Sequence, residues 1–377
     1  MNAKECAEDF ARRVIAPAAP GWERERSPLP RDVVREWAAI GLNALQVSAA
    51  RGGGGAAFHT KLEVAEAIAR VDFAAAFALN NMQGSVTRLE REGSPRQIAR
   101  FLPSLMAGEI VCAPSLSEPG AGSDFAAITT TATQVAGGWD ITGEKAWITN
   151  GAIADLLVLY AQTEPGSGAR GIASFLVDLH APGVERLPPY ALVGGHAIGA
   201  CGIRFTRVRV EEEDLFAPPG RAFKAGLRGI TGARTHVAAM VCAMVDSALR
   251  LAVRYAMQRH SFGKPLLTHQ GLRWQLVDVA TDLEAARLLT ARAADIIAAG
   301  GDAQVEAALA KKFAAEMACR SIAACMQVMG AEGLADRHPF ARQMAAARIA
   351  ALVDGSTEMQ NERIGAALAA RYGDAEA

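Results

Sequence analysis

"GGWDITGEKAWITNG", Gly137–Gly151, settles how this chain is divided. Trp139 and Ile141, then Trp147 and Ile148, place aromatic and β-branched residues between glycines, the texture of a strand bounded by turns. The segments "LLVLYAQTE" (156–164), "GIASFLVDL" (171–179) and "GIRFTRVRV" (202–210) repeat that texture. Together they predict a sheet or small barrel over about 109–215.

On both sides of it the period changes. "LEVAEAIARVDFAAAFAL" (62–79) spaces its apolar residues by three and four, which predicts one amphipathic helix. "RGGGG" (51–55) is a loop, and "SPRQIARFLPSLMAGE" (94–109) opens with a Ser94 cap and Pro95 at the first helical position. Downstream, three long helical segments span roughly 222–259, 267–299 and 303–329, with glycine in the connections. Long helices with short connections predict an antiparallel bundle. The chain is therefore mainly α with a middle β domain: an N-terminal helical domain (1–108), the β domain (109–215) and a C-terminal helical bundle domain (216–377).

Bulk composition narrows the function. With 377 residues, 51% of them hydrophobic, there is enough apolar material for more than one core. A net charge of −1 without a basic stripe argues against nucleic acid. The longest apolar run, "VAAMVCAMV" (237–245), falls far short of the ~20 residues of a membrane span. The mixed-charge start "MNAKECAEDFARR" is not a secretory signal. The six cysteines are scattered and make no CxxC pair, which implies buried thiols in a reducing cytoplasm and no metal site. "GSGARG" (166–171) fits a dinucleotide fingerprint literally, but strands flank it on both sides, so it reads as a hairpin loop.

Five motifs carry polar chemistry. "SLSEPGAGSD" (115–124) reads as a polar turn or as a loop whose N–H groups and hydroxyls hold a flat or anionic ligand. "KAWITNG" (145–151) sets an aromatic wall beside a hydroxyl. "QRHSFGKPLLTHQ" (258–270) puts Arg259 where it caps its own helix or grips a pyrophosphate. "QVMGAEG" (327–333) is a helix end running into glycines. In "LVDGSTEMQ" (352–360) a run of small apolar residues ends abruptly in the carboxylate of Asp354.

In this order and spacing, the motifs resemble the acyl-CoA dehydrogenase family, and the resemblance covers about 8–371. It implies a helical domain, a β domain and a four-helix bundle, with FAD between sheet and bundle. Leu116, Ser117, Trp147, Ile148 and Thr149 then fall at the flavin, and Ser123 at flavin and substrate. The family is usually a homotetramer, a dimer of dimers in which a neighbour completes the FAD site. Arg259, Ser261, Phe262 and Gln270 would do so here, with Gln327, Gly330 and Ala331 nearby. Ser356 and Glu358 join the FAD set, and Arg234 and Gly355 fall at the acyl group. The implied partners are an acyl-CoA substrate and an electron-transfer flavoprotein.

Asp354 stands where the family carries its catalytic base, usually glutamate. The base removes the α-proton of the thioester while the β-hydride moves to flavin, and its own backbone N–H helps hold the thioester oxygen. Aspartate is shorter by one C–C bond, ~1.5 Å, and a displacement of that order costs ~100-fold if nothing compensates. Three readings follow. Asp354 is the base and the α-carbon sits closer, as in members acting on cyclic carboxyl-CoA esters, whose "DGT/DGS" resembles this motif. Alternatively the base has moved before Arg234, as in branched-chain members, but that position is Ala233. In the third reading Asp354 is a capping acid only.

Other departures bear on the acyl pocket. "GGHAIGACG" (194–202) replaces the family's polar loop, with His196, Ile198 and Ala200 in the polar places, and His196 is expected at the surface. Pro114 stands where an aromatic usually opens the first flavin loop. The substrate is thus expected to be cyclic or bulky at the α-carbon. The rival readings are a nitroalkane-oxidase-like flavoprotein oxidase, a dehydrogenase of a carrier-protein-bound acyl group, and a non-catalytic flavin scaffold.

Overall fold

The computed structural model describes residues 1–373. Helix α1 (Ala3–Phe10) runs through a π-helical turn into α2 (Ala16–Glu25) and is followed by α3 (Arg31–Ala39), α4 (Phe58–Ala69), α5 (Phe73–Glu92) and α6 (Pro95–Met106). The single helix expected over 62–79 is two. Asp72 takes extended backbone, and its carboxylate accepts from Ala75 N at 2.9 Å, which caps α5 and ends the continuity with α4. Arg342 Nε donates to the other carboxylate oxygen at 3.2 Å. Ser94 caps α6 as its sequence implies, with Gln97 completing the reciprocal pair.

The sheet comprises β1 (Cys112–Ser115), β2 (Thr131–Val135), β3 (Gly138–Ile148), β4 (Leu156–Gln162), β5 (Ile172–Asp178), β6 (Val184–Pro189), β7 (Cys201–Glu211) and β8 (Leu215–Ala217). Its order is β6-β7-β3-β2-β4-β5-β8, with β1 beside β4. All seven residues of β4 are buried, which is why its sequence is continuous rather than alternating. β4 and β5 pair antiparallel from Leu156↔Asp178 to Gln162↔Ile172, so 166–171 is the connection of a hairpin and no helix follows it.

The bundle is α7 (Ala222–Gln258), a small hairpin of β9 (His260–Ser261) and β10 (Lys264–Pro265), α8 (Gln270–Ala298), α9 (Gln304–Met329), α10 (Phe340–Leu352) and α11 (Thr357–Tyr372). The expectation about membrane-length segments needs correcting. α7 is long and apolar enough to cross a bilayer, but 72% of its most apolar window is buried inside the protein. It is a core helix: every residue from Val237 to Val245 is buried. The thiols also depart slightly from expectation, since Cys6 and Cys319 are only half-buried.

Candidate active site

Two loops of the β domain form one wall. Ala146 N donates to Ser117 O at 2.9 Å, which ties the segment Leu116–Ser117 to the end of β3. Behind it lies Lys145, fully buried, with its Nζ 3.1 Å from Leu116 O and 2.8 Å from Glu118 Oε1. Glu118 also accepts from Thr129 N, Thr129 Oγ1 and Thr130 N. Burial alone would raise the Glu118 carboxyl, but the Lys145 ammonium and these donors hold it well below the usual carboxylate range. In front, Trp147 is 58% exposed, lies against the Tyr190 ring at 4.2 Å, and sits at φ 57°. A bulky side chain in left-handed backbone costs about 1–2 kcal/mol, which the pairing around it must hold in place. Ile148 is buried, Thr149 half-buried, and Ser123 exposed in the adjoining turn.

The loop 194–202 packs behind this wall: Asn150 N donates to Ile198 O at 2.8 Å and Ala152 N to Gly199 O at 3.0 Å. His196 is therefore buried, not on the surface as its sequence suggests. Its Nδ1 lies 3.1 Å from Glu23 Oε2, and that carboxylate also accepts the backbone N–H of Gly195.

Asp354 sits in the turn between α10 and α11 with φ 52°, followed by Gly355 at φ 89°. Arg234 Nε donates to Asp354 O at 3.0 Å. Lys311, fully buried on α9, donates through Nζ to Gly355 O and, at 3.4 Å, to Ala351 O. Gln360 Nε2 donates to Gly355 O at 2.8 Å. Every one of these donors serves backbone carbonyls. Among the described residues no hydrogen bond or ion pair reaches the Asp354 carboxylate; only the charges of Lys311 and Arg234 act on it from nearby. Burial outweighs them and raises the carboxyl above the ordinary aspartate range. Burial likewise pushes Lys311 down to about 8.

The remaining predicted residues lie at the opposite end of the bundle. Arg259 caps the C-terminus of α7, 25 positions after Arg234 and about 37 Å along the helix axis. Ser261 and Phe262 form the hairpin there, Phe262 is 94% exposed at φ 50°, and Gln270 opens α8. Gln327 lies in the last turn of α9, about 24 Å along the helix from Lys311, and Gly330 and Ala331 follow directly after its end. One chain thus gathers Asp354, Arg234, Gly355, Ser356 and Glu358 at one end and the Arg259 set at the other.

Comparison with known proteins identifies the fold that produces this layout. Models described as acyl-CoA dehydrogenase N-terminal, middle and C-terminal domains match residues 2–109, 113–208 and 221–369. The Acyl-CoA dehydrogenase of Bacillus subtilis is 30% identical over 358 residues, covering 95% of this chain and 94% of its own. This chain belongs to the acyl-CoA dehydrogenase family. The structure of butyryl-CoA dehydrogenase from Megasphaera elsdenii superposes with TM-score 0.93 at 29% identity, covering 98% of each chain. A structure of PigA with FAD and proline superposes with TM-score 0.93 at 25% identity, covering 98% of this chain and 97% of the other.

As an acyl-CoA dehydrogenase family member, the protein is an FAD-dependent oxidoreductase acting on acyl-CoA. The wall fits such a cofactor: an exposed indole face stands beside backbone groups, stiffened from behind by a buried ion pair.

Sequence reasoning overlooked Lys311, Gln360 and the Glu118–Lys145 pair. The signal for Lys311 was readable, since it lies at helical spacing with Ala307, Ala314 and Ala318, all buried. A lysine on that stripe has to find acceptors inside the protein.

Proposed function

We propose that Asp354 is the general base that takes the α-proton of an acyl-CoA thioester. The observation that carries this is the carboxylate itself: half-buried, raised by burial, and free of the hydrogen bonds that hold its surroundings. A carboxyl raised toward working pH is a stronger base when ionised. Arg234, Lys311 and Gln360 fix the turn through its carbonyls, so the carboxylate is aimed without being neutralised. The backbone N–H of Asp354 itself would donate to the thioester oxygen, with Gly355 beside it at the acyl group, and a developing oxyanion there is stabilised.

Bound FAD supplies the acceptor for the β-hydride. Leu116, Ser117, Trp147, Ile148 and Thr149 would hold its ring, with Ser123 at the ring edge and Ser356 and Glu358 beside the base. The Arg259, Ser261, Phe262 and Gln270 set, with Gln327, Gly330 and Ala331, would hold the pyrophosphate half of a neighbour's FAD. The axial span from Arg234 to Arg259 and the exposure of Phe262 support a homotetramer, a dimer of dimers, with that division of labour. The short base supports a substrate cyclic or bulky at the α-carbon, and an electron-transfer flavoprotein would take the electrons.

Purified protein mixed anaerobically with a panel of acyl-CoA esters tests this. Cyclic carboxyl esters should bleach the flavin, and the Asp354→Asn protein should retain FAD without bleaching. A flavin that no thioester bleaches contradicts the reading. Rapid oxygen consumption in turnover would favour an oxidase instead.

A further inference from the structure

Two buried polar groups lie between α4, α5 and α7 with no part in the chemistry above. Lys61 of α4 is 4% exposed. Among the described residues its ammonium makes no hydrogen bond or ion pair. Burial and the charge of Arg91 both push it down, to about 7, and no carboxylate opposes them. His236 of α7 is also 4% exposed. Its Nδ1 is bonded to Gly232 O at 2.8 Å, which leaves Nε2 buried with a lone pair and no donor. The Phe58 ring closes over the imidazole at 4.8 Å, and the charge of Lys61 acts on it.

This wedge adjoins the candidate active site through α5. On α5, Asn81 Oδ1 accepts from Asn150 Nδ2 at 3.4 Å, and Asn150 directly follows Thr149 of the flavin wall. Gly84 is three residues further, about 4.5 Å along the helix. There the Lys61 Nζ packs over the glycine, 3.8 Å from where a Cβ would be. Asn80 adds a buried, unpartnered Oδ1 on the same helix.

We propose that this wedge is the deep end of the acyl pocket and that Lys61 receives a carboxylate at the far end of the acyl chain. The substrate is then the CoA thioester of a dicarboxylic acid, a refinement that rests on the dehydrogenase reading above. An ammonium carried on a side chain only 4% exposed, with no acceptor, is costly to the protein. An incoming carboxylate supplies the missing partner as a charge-assisted hydrogen bond. The free Nε2 lone pair of His236 needs a donor, so it does not receive the carboxylate.

The test compares thioesters of equal length ending in carboxylate, methyl ester or methyl, with the holoenzyme and its Lys61→Met variant. Methionine matches the lysine stem and removes the charge. The native enzyme should prefer the carboxylate by about tenfold or more in kcat/KM, and the variant should lose that preference while keeping FAD. A non-reactive CoA thioether ending in carboxylate should also bind the native protein more tightly than the variant. Equal use of alkyl and carboxyl esters by the native enzyme, or a preference unchanged in the variant, overturns the proposal. If no thioester bleaches the flavin but the carboxylate thioether still distinguishes native from variant, the dehydrogenase reading falls and the Lys61 site stands.

Discussion

Glu118 and Asp354 are both acids set beside a buried lysine, and the protein treats them in opposite ways. Lys145 meets the Glu118 carboxylate itself at 2.8 Å, and threonine donors complete it. Lys311 turns instead to the carbonyls of Ala351 and Gly355 and leaves the Asp354 carboxylate unbonded. The first acid is held well below the usual range and the second is raised. Burial raises both acids; at Glu118 the Lys145 charge and the hydrogen bonds together overcome it, and at Asp354 the nearby charges alone do not. A fully bonded carboxylate is a strut, and an unbonded one is available to take a proton.

The contrast can be broken by exchanging each acid for its amide. Asp354→Asn should cut flavin reduction by about 10⁴-fold, the upper range for a general base, with FAD retained. Its stability in urea should be unchanged or slightly higher, because a desolvated carboxylate is removed. Glu118→Gln should instead cost about 3–5 kcal/mol in the same urea titration, since it strands the Lys145 charge. A native-like Glu118→Gln protein would mean that the pair is not a strut. The pH dependence has a definite sign. The folded Glu118 carboxyl lies below its unfolded value, so its contribution is present above about pH 4.3 and lost as pH falls toward the depressed value.

Smaller changes sharpen the comparison. Lys311→Met removes both a carbonyl donor and a charge that lowers Asp354. Flavin reduction should slow by roughly 10–100-fold through misplacement of the turn, and its acid limb should move to higher pH. A Lys311→Met limb that stays in place would show that Lys311 acts on position only. Gly355→Ala meets Gln360 Nε2 at 3.1 Å and an Arg234 terminal nitrogen at 3.2 Å, at φ 89°. It should lower stability by about 1–2 kcal/mol, measured by urea unfolding.

The sheet and the long helices were legible because their periodicity is local: β4 and α7 announce themselves within their own residues. The split between α4 and α5 was not, because Asp72 ends a continuous apolar period with a cap whose geometry involves Arg342, 270 residues away. His196 misled for the same reason, as its loop is held inside by Glu23 from α2, whose carboxylate accepts from Gly195 N. Asp354 stood out in sequence as an acid after an apolar run, but its freedom from hydrogen bonds did not. That property depends on donors from α7, α9 and α11 all choosing carbonyls.

The most direct test of the account is the pH dependence of anaerobic flavin reduction by a bleaching acyl-CoA ester. The base must be ionised, so the rate should fall as pH drops through a limb above the ordinary aspartate value of about 3.9. Asp354→Asn should abolish that limb together with the rate. A rate that stays flat down to the ordinary aspartate range, or an Asn variant that reduces flavin as fast as the native protein, would contradict Asp354 as the unbonded base.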